Sequence, residues 1–340
     1  MKLFKYAVLV FILFIVFPVF SQDEDAESTQ WNLFLIPILE TVFCQNLQWR
    51  PDWPVDFPPD AFLAEQENRR HTVIELSNDE ENYLLRRDRE GRLVEFPFFF
   101  TDGFAKVQAA YNTSIAGTIV LRSLNITYKD FALNEEEGEQ SEQTFIITFP
   151  AEFSPYSSLS RGGSFPPIEI RYEDSVFFVF IFESPVFLTE TWYDENGNMF
   201  VFCKASTVVE NGKFRIRALQ IHDAVKTRFI DYSFDSFNNI TEVRYDERVF
   251  SAYYRENRPT YWQRDDNQSE LQWDTQGLLT IIKTLNEENG GFIEYRYGYE
   301  FDTSGFWNSR LETAYILQFD LLAPQLSSSR GIWTRRIVWE

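Results

Sequence analysis

Apolar and polar residues alternate along most of the chain from His71 onward, in short runs that end at Gly, Asn, Asp or Pro. Successive side chains of a β-strand point to opposite faces, so this alternation is typical of strands with one buried face. The runs predict strand after strand over most of the chain. The clearest predicted strands are Thr118–Thr127, Thr144–Phe149, Ile168–Tyr172, Val176–Phe182, Met199–Val209, Phe214–Ile221, Lys226–Phe234, Leu278–Thr284, Phe292–Phe301 and Trp307–Phe319.

A six-residue phrase, Asp-x-x-Gly/Asn-x-apolar, recurs five times between these runs. An aspartate can cap a turn with its carboxylate, and Gly or Asn three residues later tolerates a positive φ. The phrase therefore predicts strand, tight turn, strand, and we expect architectural turns rather than ligand sites. The turn residues are Asp88 and Gly91, Asp194 and Gly197, Asp235 and Asn238, Asp274 and Gly277, and Asp302 and Gly305.

A sixth turn signal is the dipeptide Asn211-Gly212, which lies between two β-type runs. Asn-Gly is the strongest short hairpin signal, because both central residues of a type I′ turn need a positive φ. The dipeptide predicts a two-residue hairpin between antiparallel strands.

The first 62 residues depart from the strand pattern. Lys2 and Lys5 precede an apolar run that ends at Ser21, which predicts a signal peptide cleaved after that residue. A single membrane anchor is the alternative, and the run is short for it. The apolar segment 31–43 contains Pro37 and fits either a short helix or an edge strand. Residues 49–62, with four prolines, predict an extended segment that lays aromatic side chains over the main body, with a ligand-stacking platform as the alternative.

These patterns together predict an all-β fold. It is an antiparallel hairpin or meander sheet, curved or partly rolled, with a Pro- and aromatic-rich N-terminal segment. The predicted regions are the signal peptide 1–21, the N-terminal segment 22–62, a first β region 63–160 and a hairpin-repeat β region 161–340. The boundary between the two β regions is placed at the Ser-, Gly- and Pro-rich stretch 154–167.

Charge and cysteine content narrow the function classes. The chain has 52 acidic and 31 basic residues, a net charge of −21, which argues against a nucleic-acid partner. A protein or another envelope component remains open as a partner. An exported compartment permits one disulfide between Cys44 and Cys203, and two buried thiols are the alternative.

No residue pattern in the chain predicts a catalytic or metal-binding site. The chain lacks a P-loop, GxGxxG, HExxH and GxSxG, and its only histidines are His71 and His222. The segment from Asp194 resembles the start of a calcium loop, but Met199 and Ala205 stand where that loop needs Gly and Glu. No catalytic, cofactor-binding or metal-ligating residue is predicted, and the protein is expected not to be an enzyme.

Three copies of the turn phrase resemble the turn of YD-repeat, or Rhs-type, proteins. They are Tyr193-Asp194-Glu-Asn-Gly197-Asn, Trp273-Asp274-Thr-Gln-Gly277-Leu-Leu and Arg87-Asp88-Arg-Glu-Gly91-Arg-Leu93. The resemblance covers mainly residues 190–310 and implies a hairpin-built sheet in an exported bacterial protein. It implies neither toxin encapsulation, since the copies are too few, nor any catalytic residue.

The predicted function is that of a non-enzymatic, exported cell-envelope protein acting as a β-sheet binding or structural scaffold, periplasmic or associated with the outer membrane. One alternative is an outer-membrane β-barrel, whose outer face should be uniformly apolar. The other is a periplasmic carrier of an apolar ligand, lined by the Phe-rich region 165–190.

Overall fold

The computed structural model describes most of the chain after residue 34. The described residues are 35–45, 47, 49–53, 72–78, 82–100, 103–113, 119–129, 143–149, 168–172, 175–184, 187–193, 196–210, 213–223, 226–264, 267–286, 291–317 and 324–339. All of them belong to one compact unit, Phe34–Glu340. The predicted signal peptide lies outside the described residues and stays a prediction.

Within these ranges the chain forms one helix and twenty strands. The helix is α1 (Leu35–Cys44). The strands of the first half are β1 (Thr72–Ser77), β2 (Asn82–Arg87), β3 (Leu93–Phe100), β4 (Gly103–Thr113), β5 (Ile119–Lys129), β6 (Gln143–Thr148), β7 (Ile168–Tyr172), β8 (Ser175–Ser184), β9 (Phe187–Tyr193) and β10 (Met199–Glu210). Those of the second half are β11 (Lys213–Asp223), β12 (Thr227–Phe234), β13 (Ile240–Tyr245), β14 (Arg248–Arg255), β15 (Arg258–Arg264), β16 (Asn267–Trp273), β17 (Leu279–Asn286), β18 (Gly291–Phe301), β19 (Trp307–Leu317) and β20 (Gln325–Trp339).

The strands form an antiparallel meander, which confirms the predicted all-β fold class. Each described strand pairs with the next one along the chain, except that no paired register joins β6 to β7 within the described residues. The first and last strands also pair, with Thr72 opposite Trp339 and Ser77 opposite Thr334. The sheet is therefore joined across β1 and β20, and within the described residues no ladder closes it between β6 and β7.

The break in pairing falls near the predicted boundary at residue 160, yet the β1–β20 ladder connects the two predicted β regions. The division at that residue stays a prediction.

Two short hairpins in the second half carry no turn phrase. Tyr245 lies opposite Arg248, and Arg255 lies opposite Arg258, so each connection has two residues. Glu256 and Asn257 both have positive φ, at 54° and 61°, as a type I′ turn requires. Neither dipeptide is a strong hairpin signal, because Glu at a positive φ is uncommon.

The apolar segment 31–43, for which helix and strand were both open, forms helix α1 over its described part. Pro37 lies in the first turn, where its missing N–H breaks no intrahelical hydrogen bond. Ile36, Ile38 and Leu39 are 0% exposed, and the helix packs against β9 and β11. A helix that is apolar on all sides is stable only when covered on all sides. Among the described residues, no helix is long and apolar enough to cross a membrane.

The residues after the helix continue the filling of the interior. Trp49 and Trp53 are 4% and 2% exposed. The ring of Trp49 lies 3.8 Å, centroid to centroid, from that of Trp262 on β15, whereas the ring of Trp53 lies 5.3 Å from that of Phe99 on β3. This part of the predicted covering segment therefore packs between strands far apart in the meander, and residues 54–62 lie outside the described part of the chain.

Candidate functional site

Four copies of the turn phrase share one hydrogen-bonded geometry. In each, the carbonyl oxygen of the Asp accepts a hydrogen bond from the backbone N–H of the Gly or Asn three residues later. One carboxylate oxygen accepts two more, from the backbone N–H groups two and four residues after the Asp. The four pairs are Asp88 with Gly91, Asp235 with Asn238, Asp274 with Gly277, and Asp302 with Gly305, with φ values of 79°, 65°, 88° and 83° at the second residue. Each carboxylate thus serves its own turn.

These four turns lie at the same end of the sheet. Neighbouring strands are antiparallel and β20 is antiparallel to β1, so every connection from an even-numbered to an odd-numbered strand falls at one end. Side chains link the adjacent turns: Asn239 Nδ2 donates to Asn257 Oδ1 at 3.2 Å, and the Arg258 guanidinium covers Gly277. The four turns that begin at Asp88, Asp235, Asp274 and Asp302 thus lie along one end of the sheet, and we call them the hairpin row.

In three of these four phrases the apolar residue that ends the phrase is buried and its carbonyl accepts a hydrogen bond from the following hairpin, and a similar bond reaches Pro259 at the start of β15. Tyr254 Oη donates to the Ile240 carbonyl at 3.0 Å, and Tyr299 Oη donates to the Leu279 carbonyl at 2.7 Å. Tyr111 Oη makes the same bond to the Leu93 carbonyl at 3.0 Å, and Trp273 Nε1 bonds the Pro259 carbonyl at 2.7 Å. An aromatic donor on one hairpin therefore clamps the strand start of the preceding hairpin. We call these four bonds the inter-hairpin clamps.

The remaining predicted turns fall partly outside the described residues. Gly197 has a φ of 78° and is exposed, whereas Asp194 is not described. This turn joins β9 to β10 and so lies at the opposite end of the sheet from the other four. Asn211 and Gly212 lie outside the described residues too, although the flanking strands pair with Glu210 opposite Lys213.

Cys44 and Cys203 are separate buried thiols, so the possible disulfide between them is not formed. Cys44 is the last residue of α1 and accepts a hydrogen bond from Arg215 Nη1 at 3.3 Å. Cys203 lies on β10, opposite Glu190 in the ladder with β9. The structure therefore has the alternative of two buried thiols.

The histidine and carboxylate groups form no catalytic or metal cluster within the described residues. His222 Nδ1 lies 2.8 Å from Thr227 Oγ1 across a strand end, and His71 is not described. No group of three or more His, Cys, Asp or Glu side chains in the described part of the chain could hold a metal ion.

A different constellation, which the sequence did not predict, surrounds helix α1. The N-terminal end of the helix is held by Glu190, whose two carboxylate oxygens accept hydrogen bonds from the Leu35 N–H at 3.1 and 3.0 Å. The indole N–H of Trp192 donates to the same carboxylate at 2.8 Å. Glu190 is 0% exposed, and it supplies from β9 the acceptor that a capping residue would normally supply.

The C-terminal end of the helix is held by Gln45, which has a positive φ of 53°. Its side-chain amide N–H groups donate to the Val42 carbonyl and to Tyr111 Oη, and its amide oxygen accepts from the Leu93 N–H at 2.7 Å. Its backbone carbonyl accepts from Arg87 Nη1 at 3.4 Å. The two ends of the helix are thus tied to strands on opposite parts of the meander, β9 at one end and β2 to β4 at the other.

Four buried charges lie between these two anchors. Glu40, in the middle of the helix, is 3.6 Å from Arg215 Nη1 on β11 and 3.9 Å from Arg50 Nη1. Arg50 also donates two hydrogen bonds, of 2.9 and 3.0 Å, to Asp52. A register shift in the β10–β11 ladder lets the Ile216 N–H turn to Glu40, at 3.2 Å. The two carboxylates and two guanidinium groups balance each other, as buried charges must.

Burial governs the titration of these groups. It raises the pKa of Glu40, against the opposing effect of the Arg215 and Arg50 charges. Burial also raises the pKa of Glu190 to about 7, opposed by the hydrogen bonds from Leu35, Trp192 and Ile36. It raises the pKa of the Cys203 thiol, with the Glu190 charge adding to the effect.

One signal in the sequence could have found Glu190. In β9 it alternates with Leu188 and Trp192, so the period places a carboxylate on the apolar face of a strand. The partner group could not be read from the sequence, because Leu35 is 155 residues away along the chain.

Comparison with known proteins adds no family. No family model matches the chain. No curated protein matches it. Among solved structures, the chain is similar to a porin-like protein from Bacteroides uniformis ATCC 8492, at 12% identity and a TM-score of 0.31, over 79% of this chain and 98% of that one. It is also similar to TcdB2-TccC3 without its hypervariable C-terminal region, at 9% identity and a TM-score of 0.28, over 70% of this chain and 13% of that one.

Proposed function

We propose that this protein is a non-enzymatic, exported cell-envelope scaffold, which presents a water-facing β-sheet surface to a protein or another envelope component. The observation that carries the proposal is the filled interior. Within the described residues, helix α1 and the Trp49–Trp53 segment occupy space between the strands that a carrier would keep open for its ligand, whereas most side chains of the region 165–190 lie outside the described part of the chain. Ion pairs of Glu40 with Arg215 on β11 and with Arg50 fix the helix to the sheet. An apolar ligand could not make these ion pairs in place of the helix.

The outward face of the sheet supports the same proposal. Asp231, Arg244, Glu270, Arg296 and Glu300 are exposed on β12, β13, β16 and β18. Exposed apolar side chains such as Phe229 and Tyr253 occur among them. A lipid-facing surface would carry a continuous apolar band, and charges at its middle would cost about 2–4 kcal/mol each for Arg. The charged residues on the outward face of the sheet therefore favour a face in contact with water over the lipid-facing surface of an outer-membrane barrel.

The repeated turns support a structural role for the hairpins. Each described Asp carboxylate of the row is used by the N–H groups of its own turn, so these turns do not offer the six to eight oxygen ligands that calcium takes. A hairpin-built scaffold needs such turns and no metal.

The direct test is fractionation of cells that express the full-length chain, followed by chromatography of the protein without detergent. We expect a processed protein outside the cytoplasm that elutes as a defined species and crosslinks to envelope components. Recovery only in detergent would support the outer-membrane alternative. Saturable uptake of a fluorescent apolar probe by the detergent-free protein would support the carrier alternative, and retention in the cytoplasm would contradict all three.

A further inference from the structure

We propose that the outward face of β14, β15 and β16 binds a neutral glycan, through the rings of Tyr253 and Tyr261 and the polar side chains beside them. The inference rests on the proposed scaffold function, because it names the chemistry of the envelope component that contacts the sheet. We call these two tyrosines, together with Gln263, Gln268 and Glu270, the tyrosine patch.

The ladder register places the tyrosine patch on one face of three neighbouring strands. Ala252 lies opposite Trp262, and both are 1% exposed, so this pair points to the interior. The next pair, Tyr253 and Tyr261, points outward, since successive side chains of a strand alternate between the two faces. Tyr261 in turn lies opposite Glu270 on β16. Direct cross-strand neighbours are about 5 Å apart, so these three side chains form a continuous row.

The fold leaves the two tyrosine rings on the surface. Tyr253 is 65% exposed, and its ring centroid lies 5.6 Å from that of Tyr261 at an interplanar angle of 52°. Neither hydroxyl group forms a hydrogen bond with another described residue. By contrast, the hydroxyl of Tyr254, one position along the strand, donates to the Ile240 carbonyl inside the sheet. The pair is therefore available to a ligand, while its neighbour serves the fold.

Side chains suited to sugar hydroxyl groups flank the rings. Gln263 lies opposite Gln268 on β16 and opposite Ser251 on β14, on the same outward face. An amide group both donates and accepts hydrogen bonds, as a sugar hydroxyl does, and the Glu270 carboxylate accepts them. The face of a tyrosine ring carries a partial negative charge, which attracts the polarised C–H bonds of a pyranose ring. The patch thus offers stacking surfaces beside hydrogen-bonding groups.

Charge selects a neutral glycan over a charged one. The chain has a net charge of −21, so an acidic polysaccharide is repelled. The charged groups nearest the rings have both signs: Glu270 lies opposite Tyr261 and Lys283 opposite Glu270, while Arg255 follows Tyr253 by two positions. Such a mixture creates no local field that would attract a strongly charged partner of either sign.

The extent of the patch favours a glycan over a protein partner. A stable protein interface buries about 800 Å² on each partner, with an apolar centre inside a polar rim. The tyrosine patch has two rings bordered directly by amide and charged side chains, and no wider apolar centre. A narrow chain of hydroxylated rings matches a surface of this kind.

The test is affinity electrophoresis of the purified full chain in native gels that each contain one polysaccharide. The neutral probes are dextran, mannan, laminarin and hydroxyethylcellulose, and alginate is the acidic control. We expect at least one neutral probe, and not alginate, to retard the protein. Tyr253→Ala and Tyr261→Ala should each raise the dissociation constant about tenfold, because a stacked ring is lost. Tyr253→Phe keeps the ring and should stay within about twofold of the wild type.

The matched control is Phe229→Ala, which removes a ring that is 52% exposed on the outward face of β12. This variant should bind as the wild type does. The proposal is overturned by a lack of retardation in every neutral gel, by retardation in alginate alone, by unchanged binding of the alanine variants, or by an equal loss in Phe229→Ala. If circular dichroism shows that Tyr261→Ala is unfolded, Tyr253→Ala decides, since Tyr253 is the more exposed of the two.

Failure of this test and failure of the scaffold function are distinguishable. Absence of glycan binding leaves the exported scaffold to be judged by fractionation. Retention of the chain in the cytoplasm would contradict the scaffold function, and the gels would still measure binding by the purified protein.

Discussion

At the scale of the residue, the hairpin row depends on backbone positions that few residues adopt. Asn238 and Gly305 occupy the same place in two turns, with φ values of 65° and 83°. The left-handed region costs an ordinary L-residue about 1–2 kcal/mol, whereas Gly and Asn enter it readily. The Asp that opens each turn then satisfies the N–H groups that this conformation turns inward.

We therefore expect Gly305→Ala to destabilise the fold by about 1 kcal/mol and Gly305→Asn to be close to neutral. A Cβ at Gly305 meets no atom within 4 Å, so the difference between the two variants reports backbone strain alone. At Gly277 the added Cβ would displace the Arg258 guanidinium, so Gly277→Ala should cost more than Gly305→Ala. Urea unfolding of the three variants measures these differences, and equal stability of Gly305→Ala and Gly305→Asn would contradict the argument.

At the scale of the element, adjacent hairpins are joined by more than their backbone ladders. Three inter-hairpin clamps place a tyrosine hydroxyl on the carbonyl of the first strand residue after a turn, and the fourth places the Trp273 indole N–H on the carbonyl of Pro259, the second residue of β15. That carbonyl belongs to a buried residue such as Ile240 or Leu279, which are 2% and 0% exposed. The apolar residue at the end of the phrase thus anchors the hairpin in the core while its carbonyl binds the next hairpin.

Removal of one clamp should have a measurable cost. Tyr299→Phe deletes the 2.7 Å hydrogen bond to the Leu279 carbonyl and keeps the ring, so we expect a loss of about 1 kcal/mol in the free energy of unfolding. The matched control is Tyr253→Phe, since Tyr253 is 65% exposed on β14, and this change should have little effect. Chemical denaturation distinguishes the two, and an equal effect of both changes would argue against the clamp.

At the scale of the whole molecule, the meander encloses a polar interior as well as an apolar one. The charges of Glu40, Arg50, Asp52 and Arg215 connect the helix, the segment after it and β11, while Arg50 also lies 3.5 Å from Tyr232 Oη on β12. Such a group is weak evidence for stability, because desolvation offsets the attraction. Its members nevertheless depend on one another, since the loss of one leaves another charge buried.

Arg215→Met should therefore destabilise the protein by about 3–5 kcal/mol, because Glu40 loses its partner on β11. Adding Glu40→Gln should restore much of that loss. The control is Arg296→Met, which breaks an exposed pair with Glu294 and should cost less than about 1 kcal/mol. Thermal unfolding monitored by circular dichroism measures all three, and additive losses in the Arg215→Met, Glu40→Gln double variant would exclude the coupling.

The sequence by itself determined the fold class, many of the strands and the turns built on the Asp phrase. The period of alternation is local, so the predicted strand Ile168–Tyr172 has the same bounds as β7, and Phe292–Phe301 differs from β18 by one residue. Turn chemistry is local as well, because an Asp and a Gly three residues apart meet within one reversal, as Asp274 and Gly277 do. Where the turn residues were ordinary ones, as at Glu256, the sequence carried no such signal.

Only the tertiary structure decided which segment packs inside the sheet and which partners the buried charged residues have. The segment at Leu35 could have been helix or strand, because its mostly apolar residues show no period that distinguishes the two. Burial against β9 and β11 favours a helix, because a helix satisfies all but its terminal backbone groups within the segment, and Glu190 and Gln45 bond the two ends. The pairings of Glu190 with Leu35 and of Glu40 with Arg215 join residues more than 150 positions apart. No local pattern specifies such contacts, since they exist only once the meander has brought its distant strands around the helix.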